Sequence, residues 1–330
     1  DSADFTDYVN HFKSHARSMG SNMNIVIVRK PNNEIKSLIA DQFPNDWKLV
    51  FVSSRELETA IENANALIPE NEIVKLSLLD KAKNLKLIQT GAGYDNVPIE
   101  ACTQRGIYVA NAAGINAQAV AEHVFAFILS WYKNIVYLDS IMKGGKFRVD
   151  YVGAELSGQV IGIVGVGNIA KEIARLAAAF KMDVLGYHYR IFETNSEIEL
   201  VDLQSLLNVR LTNHTKHMIG KNEIELMKKD AFLINTSRGA VLNETALVEA
   251  LKNKKIGGAG LDVFEEEPLP DNSPLRKLKN VILTPHTAGE PDGLYFHSKR
   301  FKFFAENIRR VSRGKTPKNV LNQLDVTDMR

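Results

Sequence analysis

Short apolar runs rich in β-branched residues punctuate the chain: Met23 to Arg29 (MNIVIVR), Leu49 to Ser53, and Leu85 to Thr90 (LKLIQT). Each reads as a buried strand, and the amphipathic stretches between them give the strand–helix–strand rhythm of a parallel sheet. The rhythm restarts at Val160, with Val160 to Gly165 as a strand, Asn168 to Phe180 as a helix and Asp183 to Tyr187 as the next strand. Further strands are predicted at Ala231 to Asn235 (AFLIN), Gly258 to Val263 (GAGLDV) and Val281 to Thr284 (VILT), each ending in polar or glycine residues. Open α/β sheets bind their ligands at such carboxyl ends. Ala117 to Tyr132 is the most apolar stretch, but Glu122 and His123 interrupt it and it is too short to span a bilayer, so it reads as a buried helix. From about Leu294 a long amphipathic helix (FKFFAENIRRV) with a tail is predicted to return to the first lobe.

Composition adds bounds. A chain of 330 residues, 45% hydrophobic and 24% charged, can bury more than one core. Two lobes follow, at about 23–115 with 294–330 and at about 116–293. Lysines and arginines number 41 against 39 acids, too even a balance to draw the chain to nucleic acid or an anionic membrane. Cys102 is the sole cysteine, which excludes an internal disulfide framework and fits a reducing, cytoplasmic compartment. Residues 1–22 place acids where a signal peptide would begin with bases, and read as a disordered extension or expression remnant. No metal site is expected.

The sharpest local chemistry is Gly165-Val166-Gly167-Asn168-Ile169-Ala170, set between the strand VIGIV and the helix NIAKEIARLAAAF. The first glycine permits a tight turn, and the second leaves room for a pyrophosphate near a helix N-terminus. Alanine takes the place of the third. In this context the pattern predicts a dinucleotide site. Asn235-Thr236-Ser237-Arg238-Gly239, Asp262-Val263-Phe264-Glu265-Glu266-Glu267-Pro268 and Thr284-Pro285-His286-Thr287 each follow a strand directly. Singly they have bland readings as ion pair, solvated loop and core histidine. Jointly they suit reduction of a 2-oxo acid, which needs a fixed cation for the carboxylate, a proton donor that titrates near neutrality, and a neighbour keeping it protonated.

With these motifs in order, the sequence resembles the D-isomer-specific 2-hydroxyacid dehydrogenases over about residues 85–325. The resemblance is carried by GAGYDNVPIEA (91–101), GVGNIA (165–170), LMKKDAFLINTSRGAVLNETALVEAL (226–251), GLDVFEEEP (260–268), LTPHTAG (283–289) and ENIRRVSRGKTPKNVLN. It implies two Rossmann-like lobes, a nucleotide-binding lobe inserted in a flavodoxin-like substrate (catalytic) lobe. It implies a catalytic triad of Arg238, Glu267 and His286, with Arg238 and His286 on the substrate together with the backbone at Ala92 and Gly93. The implied cofactor contacts are Gly165, Gly167, Asn168, Ile169, His188, Tyr189, Arg190, Thr212, Thr236, Ser237, Asp262 and Ala288, with Asp262 near the nicotinamide. A homodimer through the nucleotide lobe is implied too. His123, in AVAEH, reads as structural.

Three departures bear on the detail. Where NAD-specific relatives carry an aspartate after the second nucleotide strand, His188 stands here, followed by Tyr189 and Arg190, which leans the cofactor from NAD toward NADP. In the first lobe Ala66-Leu67-Ile68 runs into Pro69-Glu70-Asn71, without the arginine or similar polar residue common in the family. Leu203 to Leu207 passes straight into Asn208-Val209-Arg210-Leu211-Thr212, so about eight residues around the fourth nucleotide strand look absent. Either Val209 to Leu211 forms a stunted strand or the sequence omits residues. Competing readings are a formate- or phosphite-type dehydrogenase, against which the Glu267 and His286 pair argues, and a dinucleotide-sensing corepressor. Glyoxylate, hydroxypyruvate, pyruvate and larger 2-oxo acids all stay open, because residues around Pro69, Tyr94 and Tyr295 could accept several sizes.

Overall fold

The structure, a computed structural model, describes residues 23–147, 153–187, 198–200, 216–289 and 294–324. The chain divides into two compact units, Asp1–Ile115 with Asp292–Arg330, and Asn116–Pro291.

The first unit runs β1 (Asn24–Val28), α1 (Asn33–Ala40), β2 (Lys48–Val52), α2 (Leu57–Ala60), β3 (Ala66–Ile68), α3 (Leu76–Lys81), β4 (Leu87–Gln89), α4 (Ile99–Gln104) and β5 (Tyr108–Ala110). Its strands are all parallel, in the order β2-β1-β3-β4-β5, the flavodoxin-like winding. Both faces of the sheet are covered. Ile25 and Ile27 of β1 enter one core, whereas Val26 enters the other beside Leu67, Ile88 and Val109. Double burial is why these strands read as unbroken apolar runs. Strands β3 and β5 go beyond the three that the hydrophobic pattern predicts here; three residues are too few to display a period of two. Asn32 starts α1 by accepting the Ile35 N–H at 2.8 Å.

The second unit contains α5 (Ala117–Tyr132), α6 (Ile135–Lys143), β6 (Val160–Val164), α7 (Asn168–Ala179), β7 (Asp183–Tyr187), β8 (Glu199–Leu200), α8 (Lys221–Glu225), β9 (Phe232–Asn235), α9 (Glu244–Lys252), β10 (Gly258–Leu261) and β11 (Val281–Leu283). Among the described residues its strands form two parallel groups, β6-β7-β8 and β11-β10-β9. Val124 and Ile128 of α5 pack with Ile173 and Ala177 of α7. Side chains of β6 and β9, among them Ile161, Ile163, Phe232 and Ile234, line one apolar recess with Val124 and Ile128. The Leu207–Asn208 junction and the strand expected near it fall outside the described residues.

The chain then returns to the first unit as α10 (Leu294–Ser312), whose Phe301, Phe304 and Ile308 are buried beside Ile25, Ile27 and Ile39. Helix α6 was not predicted. None of its side chains is buried, so its apolar residues trace no core-facing stripe. Among the described residues, no helix is long and apolar enough to cross a membrane.

Candidate active site

Strand β6 ends at Val164, and Gly165 follows with φ of +95°, a conformation that favours glycine. Its N–H donates to the Tyr187 carbonyl at 2.8 Å, tying the turn to the end of β7. Gly167 precedes α7, and a Cβ built on it would meet nothing within 4 Å. The space over this turn is open, and Asn168 and Ile169 begin the helix with their N–H groups unpaired within it. Ala170, at the third glycine position, is buried. Open backbone at the start of a twelve-residue helix suits a dinucleotide pyrophosphate.

At the end of β9, Asn235 shapes the next loop. Its Oδ1 accepts the N–H of Ser237 at 3.1 Å and its hydroxyl at 2.8 Å, and its Nδ2 donates to the Arg238 carbonyl at 3.0 Å. This Asx-type turn fixes Thr236, Ser237 and Arg238 before any ligand arrives. Arg238 is half-buried and its Nη1 donates to the Ser237 carbonyl at 2.8 Å. Next comes Gly239, where a methyl group would overlap the backbone carbonyl of Phe264, so the loops after β9 and β10 touch at that point. Sequence reasoning assigned no role to Asn235 or Gly239. An asparagine ending a strand two residues before a serine was the available signal.

Asp262, beyond β10, is 1% exposed and organises the loop after β11. Its Oδ1 accepts the Thr284 hydroxyl at 2.6 Å and the Thr287 N–H at 2.9 Å, and its Oδ2 accepts the Ala288 N–H at 2.9 Å. Its backbone carbonyl takes the His286 N–H at 2.7 Å. His286 sits in the left-handed region at φ of +55°, held there by these bonds on both sides. His123 on α5 lies 3.0 Å from the Thr284 hydroxyl through Nε2. Because the hydroxyl proton is given to Asp262, Thr284 accepts from His123, which therefore carries its proton on Nε2.

Glu267 uses both oxygens. Oε1 accepts the Phe264 N–H at 3.0 Å, and Oε2 lies 2.7 Å from His286 Nδ1. A carboxylate can only accept here, so Nδ1 carries the proton and Nε2 is left as the nitrogen that gains or loses one. The imidazole side chain is 46% exposed and thus open to a reactant. The neighbouring Glu265 does other work: it accepts the Glu244 N–H at 3.0 Å and lies 2.9 Å from His217 Nε2. Burial pushes the Glu244 carboxyl above its ordinary value. Cys102, in the first unit, is buried, and burial pushes its thiol up to about 11.

Within the second unit, then, Glu267 and His286 are joined directly, Asp262 holds the loop of His286 and Ala288, and the Arg238 loop packs on the Glu267 loop through Gly239. Ala92 and Gly93 lie in the first unit beyond β4, where Asn111 Nδ2 donates to the Ala92 carbonyl at 3.0 Å. His188, Tyr189, Arg190 and Thr212 lie outside the described residues. Among the described residues, no cluster of histidine, cysteine or acidic groups could hold a metal ion.

Residues 125–288 match the family described as D-isomer specific 2-hydroxyacid dehydrogenase, NAD binding domain. A glyoxylate reductase of Korarchaeum cryptofilum is 36% identical over 307 residues, spanning 87% of this chain and 92% of that protein. The structure is similar to that of an acyclic imino acid reductase (Bsp5) in complex with NADPH and D-Arg, with a TM-score of 0.80, 28% identity, and coverage of 91% of this chain and 100% of that one. It is also similar to the D-lactate dehydrogenase of Aquifex aeolicus complexed with NAD and lactic acid, with a TM-score of 0.78, 26% identity, and coverage of 92% and 100%.

Proposed function

The chain belongs to the D-isomer specific 2-hydroxyacid dehydrogenase family, and on that premise we propose that it reduces glyoxylate and similarly small 2-oxo acids, with Arg238, Glu267 and His286 as its catalytic set. It is an oxidoreductase that converts 2-oxo acids to D-2-hydroxy acids with a nicotinamide dinucleotide. The observation that carries the assignment of roles is the 2.7 Å contact between His286 Nδ1 and Glu267 Oε2.

When bound, the dinucleotide supplies the hydride that goes to C2 of the oxo acid. Arg238 holds the substrate carboxylate through paired, planar N–H donors. His286 gives the Nε2 proton to the carbonyl oxygen, which leaves a neutral imidazole and a hydroxyl; in the reverse direction the same nitrogen takes the proton back. Glu267 stabilises the imidazolium and keeps the ring in place. Asp262 acts beneath them by holding the backbone of Thr287 and Ala288. Ala92 and Gly93 are the substrate contacts assigned to the first unit, and the units are assigned as substrate-binding (23–115 with 294–330) and NAD(P)-binding (116–293). Gly165, Gly167, Asn168 and Ile169 are assigned to the pyrophosphate, and Thr212, Thr236 and Ser237 to the rest of the dinucleotide. NADP is the favoured cofactor, because His188 replaces an aspartate that would repel a 2′-phosphate and Arg190 follows.

A homodimer belongs to the same reading. Ile135, Val136 and Met142 of α6 and the nearby Phe147 are all more than half exposed, an apolar face suited to a second copy of this chain. A cytoplasmic location fits the single buried cysteine. Turnover of NADPH and NADH against glyoxylate, hydroxypyruvate and pyruvate, with chiral analysis of the glycerate and lactate formed, tests the assignment. Glyoxylate or hydroxypyruvate as the best substrate, with glycerate and lactate of the D-form, supports it; L-products, or no turnover of any of the three, contradict it.

A further inference from the structure

We propose that Glu70 is a built-in counter-anion that fills a guanidinium recess at the carboxyl edge of the first unit's sheet, and so restricts the enzyme to 2-oxo acids with a single negative charge. This rests on the 2-oxo acid reductase reading and narrows its substrate class.

Arg29 directly follows β1, and Glu70 lies two residues beyond β3, the strand paired with β1. These are neighbouring carboxyl ends, where a parallel sheet offers its ligand edge. Arg300 reaches the same place from α10. Glu70 Oε2 is paired with Arg300 Nη2, its Oε1 lies 3.9 Å from Arg29 Nη1, and Arg29 Nη2 lies 3.4 Å from His297 Nε2. The Arg300 side chain is only 7% exposed, and its guanidinium lies over the rings of Phe301 and Phe304 at 5.1 and 5.3 Å.

Two guanidinium groups against one carboxylate leave a net positive recess. Glu70 Oε1 and Arg300 Nε are both buried without a hydrogen-bond partner among the described residues. A buried guanidinium stripped of water demands an anion. Glu70 supplies one, from a backbone at φ of +52°, a region that disfavours residues with side chains.

The recess adjoins the proposed substrate loop. Asn96 Nδ2 donates to the Glu70 carbonyl at 3.1 Å and to the Glu72 carbonyl at 2.7 Å, and Asn96 belongs to the loop after β4 that carries Ala92 and Gly93. A distal phosphate or carboxylate on a substrate held by that loop would meet Glu70 as a like charge. Without the Glu70 charge it would meet Arg29 and Arg300, whose planar donors match either group.

The test substitutes Glu70→Gln, which removes the charge and keeps the shape. The ratio of kcat/KM for 3-phosphohydroxypyruvate to that for glyoxylate should rise by about tenfold or more, chiefly through a lower KM for the phosphorylated acid. A second measurement needs no turnover: inorganic phosphate, compared with chloride at equal ionic strength, should raise the melting temperature of Glu70→Gln and not that of the parent. Should Glu70→Gln fail to fold, Glu70→Gln with Arg300→Met removes the buried pair together and leaves Arg29 without its counter-anion, so phosphate should still stabilise it more than the parent. An unchanged substrate ratio, or a phosphate response equal to the parent's, overturns the proposal. If the parent turns over no 2-oxo acid, the reductase reading fails while the phosphate melts still decide the role of Glu70.

Discussion

Thr284 donates its hydroxyl to the buried carboxylate of Asp262 at 2.6 Å, and that bond sets the course of the loop carrying His286. The same carboxylate takes the N–H groups of Thr287 and Ala288, so Asp262 acts as a template for the loop from Thr284 to Ala288. An asparagine would turn an amide NH2 toward at least one of those donors. Asp262→Asn is therefore expected to cost about 1–3 kcal/mol of stability, read as a lower melting temperature, together with a marked loss of turnover. A variant with parental melting and parental kcat would remove Asp262 from this role.

Arg238→Lys keeps the charge and loses the geometry. A lysine offers a point cation, whereas the carboxylate binding proposed for Arg238 rests on two parallel N–H donors. We expect kcat/KM for glyoxylate to fall by roughly 100-fold, with a raised KM, and the fold to be unaffected by circular dichroism. Near-parental kinetics in the lysine variant would reduce Arg238 to a structural side chain bonded to Ser237.

Much of this architecture is legible in the sequence, for a physical reason. Strands such as β1, β6 and β9 belong to parallel sheets, so they stand out as apolar runs, and the candidate chemistry follows at their polar ends. Arg238, Glu267 and His286 could be picked out as candidates because each lies beyond a run of that kind. The bracing around them could not. Thr284 and Asp262 are 22 residues apart and His123 and Thr284 are 161 apart, so their pairing depends on topology and not on local pattern. Likewise, the need for glycine at Gly239 comes from the Phe264 backbone on another loop. Glu70 was legible as a departure after β3, yet its partners Arg29 and Arg300 come from opposite ends of the first unit's sequence.

Cofactor choice gives a further prediction. An aspartate after β7 would bond a ribose hydroxyl and repel a 2′-phosphate; His188 follows β7 in the sequence instead, and Arg190 is the proposed partner of the phosphate. NADPH should be used at least as efficiently as NADH, and Arg190→Ala should lower the efficiency with NADPH alone by about tenfold. A clear preference for NADH in the parent, or an NADPH efficiency indifferent to the alanine, would refute this.

The pairing of Glu267 with His286 is tested most directly by the kinetics of glyoxylate reduction in Glu267→Gln, with the parent measured beside it. A carboxylate 2.7 Å from Nδ1 can only accept, so it fixes the proton on that nitrogen and the plane of the ring, whereas a glutamine amide can turn its NH2 toward Nδ1 and favour the other tautomer. The kcat should then fall on the order of 10–100-fold, with KM for glyoxylate little changed and the fold intact by circular dichroism. A kcat equal to the parent's, or a loss confined to KM, would contradict the assignment of Glu267 and His286 as the proton-delivering pair.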